Sequence, residues 1–372
     1  MKILIPTLHF FTTAALTLAF AAGSRADTIT LADGKTLENV TVVNETLKEV
    51  SFKQEGKSKT IPSETVASVE YVKKPKLVDQ ADSSAKDGDI GGAIDSFETY
   101  VSGLIEGKGK EPMLWAPGYA MQRLIELSAS VGDTEGVVVA ADRLIKNAPE
   151  SRYLPAAYLS KATALADDKK NKEALAAIAD LRSLINTKEL GQRWKLEADL
   201  AEVLADASLA GSKRRARVIE ISGLAGKDYP MVANRARVAE GESYTEGETK
   251  DFTKAKALFQ QIAADPKADK PTLAGAYTGL GDCLFAQALD LQKANKDANE
   301  AFKSAVDTYM KVVVLFPEQV RYRAKSMFLA GRAFEFIGDD VSKARARQLY
   351  RSVIREFKQS SWAEDAKKQM GG

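Results

Sequence analysis

The sequence is poor in the two residue types that most often build catalytic and metal centres. Histidine occurs once, as His9, and cysteine occurs once, as Cys283. A single cysteine excludes an intramolecular disulfide, a multi-cysteine zinc site and an iron–sulfur cluster. Its neighbours in "GLGDCLFAQA" place Cys283 on an apolar helical face. We therefore interpret it as a buried small side chain and not as a reactive thiol.

Long apolar runs are also scarce, and the one pronounced run lies at the N-terminus. In "MKILIPTLHFFTTAALTLAFAAGSRAD", Lys2 precedes an uncharged apolar run, and Ser24 and Ala26 are the small residues of a cleavage site. The run is shorter than the roughly 20 apolar residues of a membrane span. We expect residues 1–26 to be a signal peptide cleaved after Ala26, with no lipobox cysteine. The mature protein is then periplasmic or secreted.

Removal of this signal peptide further reduces the range of catalytic and binding functions that the chain can have. It takes away His9 and two of the 53 basic residues, which leaves 51 basic against 51 acidic residues. A neutral chain gives no bulk attraction to nucleic acid or anionic lipid. Without histidine, a Ser-His-Asp triad, a histidine base and a histidine metal site are all excluded. We expect no catalytic residue, no cofactor and no metal, so the chain is not predicted to be an enzyme.

Residues 27–73 differ from the rest of the chain in being rich in Val, Ile and Thr. Asp33-Gly34 and Glu55-Gly56 are turn signals between runs of alternating polarity. This pattern predicts about five short strands that form a small bent barrel or a curled sheet. The patterns "L.DG..L..V" and "IP...V..V.Y" resemble the small Sm-like or SH3-like barrels of secreted bacterial proteins.

Two short motifs near this β-rich head have simple explanations. "GKS" at 56–58 lacks the first glycine of a phosphate-binding loop and is followed by a strand, so we interpret it as a hairpin turn. "KKPK" at 73–76 indicates a solvated connector, and we take residues 74–76 as a hinge.

From residue 77 onward the apolar residues recur every three to four positions, as in an α-helix, and one sequence pattern is repeated. A small residue is followed by an apolar or aromatic residue about four positions later and by another apolar residue three further on. The small residue lets two helices approach closely, and the large one fills the groove beside it. The copies are Ala93–Phe97–Val101, Val137–Ala141–Leu144, Ala174–Ile178–Leu181, Ala255–Phe259–Ile262, Ala305–Tyr309–Val312 and Ala346–Tyr350–Val353.

Several copies end in a proline that stops the helix, and "RYRAKSMFLAGRAFEFIGDD" provides the clearest first helix of a pair. The body, residues 77–372, resembles tetratricopeptide repeats, which are helix–turn–helix units. Its copies are longer and uneven, notably through "LDLQKANKDANEAF", and the copy around "GSKRRARVIEISGLAGKDYP" is weak. The closing stretch is similar to the repeats of the Tol–Pal-associated periplasmic protein and of outer-membrane assembly lipoproteins.

These observations predict a mainly α protein, a tetratricopeptide-like solenoid with a C-terminal capping helix "SWAEDAKKQM", preceded by a small all-β domain. The resemblance implies a non-catalytic scaffold of the cell envelope that binds protein segments on a concave face. First-helix positions on that face in the family pattern are Arg235, Lys325, Arg332 and Glu335.

Two other functions remain open at this point. Basic stretches such as "SKRRAR" and "RYRAK" are most simply solvated helix faces, but they also fit a binder of acidic peptides or envelope polymers such as cell-wall glycan. A hydrolase based on two carboxylates is the less favoured alternative, because carboxylate pairs such as Asp167-Asp168 and Asp339-Asp340 fall in expected turns.

Overall fold

The structure is a computed structural model, and it describes residues 26–107, 111–247, 250–266, 268–358 and 360–371. The expected signal peptide, residues 1–26, therefore lies outside the described residues except for Ala26. An N-terminal antiparallel sheet has the strand order β4-β3-β2-β1-β5. Its strands are β1 Asp27–Leu31, β2 Thr36–Glu45, β3 Glu49–Gln54, β4 Lys57–Pro62 and β5 Val66–Glu70.

The five expected strands of the head are confirmed. Glu55 and Gly56 both have positive φ values, 52° and 76°, which is the backbone of a two-residue hairpin turn between β3 and β4. "GKS" is accordingly part of a hairpin. Register shifts within the β1–β2, β1–β5 and β2–β3 ladders bend the sheet. The resemblance to Sm-like and SH3-like barrels stays a prediction.

The described part of the body consists of fifteen α-helices. They are α1 Lys76–Lys86, α2 Ile90–Ile105, α3 Ala116–Ser130, α4 Thr134–Asn147, α5 Leu154–Asp167, α6 Asn171–Lys188, α7 Gln192–Ala205, α8 Ser212–Ala225, α9 Pro230–Ser243, α10 Phe252–Ala263, α11 Lys270–Lys293, α12 Asn299–Leu315, α13 Val320–Ile337, α14 Asp340–Glu356 and α15 Ser361–Gln369. Consecutive helices pack as hairpins, from α1 with α2 to α13 with α14, and α15 covers the last pair. The mainly α, helical-hairpin solenoid is thus confirmed.

The recurring sequence rhythm forms the core of the hairpins. All residues of the six copies are buried, and Phe97, Phe259 and Tyr309 are fully so. The large side chains rest on glycines of the first helices: a Cβ on Gly279 of α11 would lie 2.2 Å from the Phe259 ring, and one on Gly331 of α13 would lie 2.5 Å from the Tyr350 ring. Close approach therefore depends on glycine in the first helix as well as on alanine in the second.

The irregular spacing also has a structural counterpart. The stretch before "NEAF" extends α11 to 24 residues, the greatest length among the described helices. Asp339 caps α14 by accepting a hydrogen bond from the Ser342 amide at 2.9 Å, as its expected turn position implies. Cys283 is a free thiol and is 2% exposed, which confirms its interpretation as a buried side chain.

The β head packs directly on the body. The Tyr71 ring stacks on Trp115 of the α2–α3 connection, with ring centroids 3.4 Å apart. Glu45 Oε1 lies 2.7 Å from Arg152 Nε in a buried ion pair between β2 and the α4–α5 loop. Lys74 Nζ lies 2.5 Å from Asp82 of α1, so this lysine of the expected solvated connector is largely buried, whereas Lys73 is exposed. Apolar residues of the head and of α1 to α7 form one continuous core.

The solenoid also contacts itself after about one turn of its superhelix. Arg321 at the start of α13 pairs with Asp167 at the end of α5, Nη2 to Oδ1 at 3.2 Å. A Cβ on Gly132, between α3 and α4, would lie 3.3 Å from the Ser360 Cβ, just before α15. The seventh hairpin and α15 thus lie against the second and third hairpins. The first helices consequently line an inner face that is bridged and not open along its whole length.

Candidate binding surface on the inner face

The first helices α5, α7, α9, α11 and α13 contact one another in sequence order and form the inner face of the solenoid. The side chains that decide its chemistry are cations, carboxylates and tyrosines. Among the described residues, none of the helices is long and apolar enough to cross a membrane. The same residues contain no group of three histidine, cysteine or carboxylate side chains placed to hold a metal ion.

Two ion pairs connect neighbouring first helices across the inner face. Arg235 Nη1 of α9 donates to Glu197 Oε2 of α7 at 2.5 Å, and the Glu197 side chain is nearly inaccessible to solvent. Lys325 Nζ of α13 donates to Asp282 Oδ2 of α11 at 2.7 Å. The other Asp282 oxygen accepts a hydrogen bond from the Tyr309 hydroxyl at 2.8 Å. These contacts fix the spacing of successive hairpins and leave one edge of each cation facing solvent.

The four residues that the sequence pattern selected fall into two groups. Arg235 and Lys325 both act electrostatically on the Tyr322 hydroxyl, so they border one common region. Arg332 and Glu335 pair with each other, Nε to Oε2 at 3.3 Å. They lie about two helical turns beyond Lys325 on α13, which is roughly 10 Å along the axis. The structure therefore brings the first two together and leaves the second two as a separate pair.

Glu242 of α9 is the inner-face residue that sequence reasoning missed. Its carboxylate lies in the field of Arg321 and Lys325, yet no hydrogen bond or ion pair joins it to a described residue. Burial raises the pKa of Glu242, and the two cations lower it by a smaller amount. A half-buried carboxylate without a direct partner is an acceptor that a ligand can use.

The sequence interpretation placed Arg321 in a basic stretch and Asp167 in a turn. In the structure the two side chains pair and bridge the inner face. The negative charge of Asp167 raises the pKa of Arg321, so this guanidinium is charged at all physiological pH values. The two side chains are 55% and 41% exposed, so a ligand has access to both. A sequence signal for the bridge would have required knowledge of the superhelical turn that brings the third and seventh hairpins together.

Most cations of the other basic stretches are neutralised by local carboxylates. Arg214 binds both oxygens of Glu246 at 2.7 and 2.6 Å, and Arg217 binds Glu220 at 2.6 Å. Arg323 binds Glu356 at 2.6 Å. All three cations of "RYRAK" are thus ion-paired, whereas in "SKRRAR" Arg214 and Arg217 are paired and Arg215 is not paired with any described carboxylate. Arg215 and Arg321 are the members whose positions point to further interactions.

Comparison with known proteins gives no family. No protein-family description and no curated protein matches the chain. Among solved structures, the chain is similar to the apo form of the quorum sensor NprR from B. thuringiensis, with 13% identity over 78% of each chain and a TM-score of 0.39. The helical-hairpin architecture stated above rests on the packing of this chain's own helices and not on that likeness.

Proposed function

We propose that this protein is a non-catalytic scaffold that binds an extended protein segment along the inner face of its solenoid. The supporting observation is Glu242, a half-buried carboxylate in the field of Arg321 and Lys325 that no hydrogen bond joins to a described residue. The main-chain N–H and C=O groups of an extended segment can hydrogen-bond to the tyrosine hydroxyls and to the exposed edges of the ion pairs. A lysine or arginine side chain of the segment would pair with Glu242. Solenoids present such elongated surfaces for this purpose.

The inner face favours binding over chemistry for a physical reason. Its cations and carboxylates are held in fixed pairs between helices, for example Arg235 with Glu197 and Lys325 with Asp282. Side chains that are already held in ion pairs lose little conformational entropy when a ligand binds to them, so they are preorganised for recognition. A general acid–base pair would instead need two carboxylates on either side of one cleft with pKa values set apart.

We further propose that the protein acts in the cell envelope. The support is the N-terminal sequence, in which Lys2, an uncharged apolar run and the small residues before Asp27 form the pattern of a cleaved signal peptide. The similarity of the repeats to Tol–Pal-associated and outer-membrane assembly proteins favours protein partners in that compartment. Cell fractionation combined with N-terminal sequencing tests this, since the mature chain should begin at Asp27.

Site-specific photo-crosslinking tests the binding face. A photoreactive amino acid replaces Tyr322 on the inner face or, as a control, Lys303 on α12, whose exposed side chain pairs with Glu300 of the same helix. We expect discrete protein adducts from position 322 and none in common with position 303. Adducts that consist of glycan, or adducts that are identical at the two positions, would contradict the proposal.

A further inference from the structure

A polar cavity lies between α8, the α9–α10 connection and the start of α10. It has a volume of about 410 Å³ and is lined by Arg215, Tyr244, Lys250, Asp251 and Lys254. Three of these five residues are cationic and one is anionic. Volumes of this order are typical of sites for small ligands and exceed what a single ion needs.

The two adjacent arginines of α8 differ in how their charge is compensated. The Arg214 guanidinium is neutralised by both oxygens of Glu246. Arg215 has no carboxylate of a described residue within ion-pair distance, and its guanidinium lies 3.9 Å from the centroid of the Tyr244 ring. Stacking on Tyr244 fixes the plane of the Arg215 fork and leaves its N–H groups available for an anion.

The connection from α9 to α10 positions the opposite wall of the cavity. The Asp251 amide donates to the Tyr244 carbonyl at 2.8 Å, which brings the start of α10 back to the end of α9. Asp251 then caps α10 by accepting from the Lys254 amide at 2.9 Å, and its other oxygen lies 3.0 Å from Lys254 Nζ. The Asp251 carboxylate is thus used by the helix, and Lys250 has no carboxylate partner among the described residues.

We propose that this cavity binds a phosphate monoester. Among the described residues, neither Arg215 nor Lys250 has a carboxylate within ion-pair distance, and the two cations lie on different elements. The N-terminus of α10 borders the same cavity, and the Asp251 cap offsets part of its positive charge. A phosphate monoester carries about −1.5 to −2 charges at neutral pH, which matches two cations, and its oxygens fit the fork of a guanidinium. A single carboxylate carries one negative charge, about half to two thirds of that amount. The carboxylates of Asp251 and Glu240 lie in the field of Arg215 and offset part of its charge, so the anion has to be held by hydrogen bonds from the guanidinium as well as by charge.

Titration calorimetry with the full mature chain tests the proposal. Inorganic phosphate is the first probe, and a sugar phosphate and vesicles that contain phosphatidic acid distinguish a soluble phosphate ester from a lipid headgroup. We expect saturable binding of at least one phosphate probe, weakened about tenfold or more by Arg215→Gln and by Lys250→Gln. Arg217→Gln is the matched control, because Arg217 belongs to the same run but is paired with Glu220.

Each other outcome counts against the site. The proposal fails if no phosphate probe binds, if an acidic peptide binds more tightly than phosphate, or if Arg217→Gln weakens binding as much as Arg215→Gln. Arg215→Lys separates charge from geometry, since it keeps the cation but loses the stacked fork. Far-ultraviolet circular dichroism of each variant establishes that the loss is local. The test is separate from that of the inner face, because the substituted residues Arg215 and Lys250 are not among the inner-face residues named above.

Discussion

Arg321 Nη2 lies 3.2 Å from Asp167 Oδ1, so the seventh helical hairpin is joined directly to the third. The two residues are far apart in sequence and meet because the solenoid has completed about one superhelical turn. Both side chains remain partly exposed, and exposed pairs contribute roughly 0 to 1 kcal/mol. The contact therefore adjusts the shape of the inner face more than it stabilises the fold.

The first prediction concerns this bridge. Arg321→Gln should lower the free energy of unfolding by less than about 1 kcal/mol, because the pair is accessible to water and salt. The variant should nevertheless allow the hairpins to separate, with an increase in the radius of gyration measured by small-angle X-ray scattering. High salt should produce the same increase in the unmodified protein. An unchanged radius in both experiments would contradict the bridging role.

The second prediction concerns the buried ion pair between the head and the body. Arg152→Met leaves Glu45 buried without its cation and should lower the free energy of unfolding by about 3 to 5 kcal/mol near neutral pH. The double variant Glu45→Leu with Arg152→Met removes both charges and should recover most of this loss. Urea unfolding curves measure both. Equal stability of the single and double variants would show that the loss is due to packing alone.

Burial also gives the Glu45 pair a defined pH dependence. Burial raises the pKa of Glu45 above its ordinary value of 4.5, and Arg152 lowers it by a smaller amount. A raised folded-state pKa favours the protonated form, so this contribution stabilises the protein below the ordinary pKa and is lost as pH rises through the folded value. In Arg152→Met the opposing cation is absent, so stability should fall more steeply with rising pH than in the unmodified protein. Glu45→Gln should remove the dependence.

The third prediction concerns the glycines on which the aromatic rings rest. Gly279→Ala places a Cβ 2.2 Å from the buried Phe259 ring and should cost about 1 to 3 kcal/mol through overpacking. Gly223→Ala on α8 is the matched control, since nothing lies within 4 Å of its added Cβ. That substitution should stabilise the protein by about 0.5 to 1 kcal/mol through helix propensity. Thermal or urea unfolding measures the stability of the two variants. A Gly279→Ala variant more stable than the Gly223→Ala variant would contradict the account.

The fourth prediction concerns Cys283. Burial raises the pKa of its thiol to about 12, so almost no thiolate exists at neutral pH. We expect the native protein to react with a thiol reagent only as fast as it unfolds, and the denatured protein to react at the rate of a free thiol. Rapid modification of the native protein would show that the helix face around Cys283 is open.

The sequence predicts local and periodic features of this protein well. The strand turns at Asp33-Gly34 and Glu55-Gly56 and the buried positions Phe97, Phe259 and Tyr309 follow from turn chemistry and helical period, which act over a few residues. These features account for the head, the hairpins and the burial of Cys283.

Contacts between distant hairpins were not predictable in the same way. Asp167 was interpreted as a turn residue but is the last residue of α5, and Arg321 was interpreted as part of a solvated face and is 55% exposed. Their meeting depends on the accumulated rotation of several hairpins, which leaves no periodic signal in the sequence. Glu242 was missed for the same reason, because a carboxylate without a partner is recognised only after its neighbours are in place.

Selection from a library of unstructured peptides tests the proposed binding of protein segments most directly. The mature protein serves as bait, and the enriched peptides are measured by calorimetry against Glu242→Gln and against Lys303→Gln, the control on α12. The account predicts enrichment of extended peptides that carry a lysine or arginine, with binding weakened about tenfold by Glu242→Gln and unchanged by Lys303→Gln. Failure to enrich any peptide, or equal binding to all three proteins, would contradict the inner face as the binding surface.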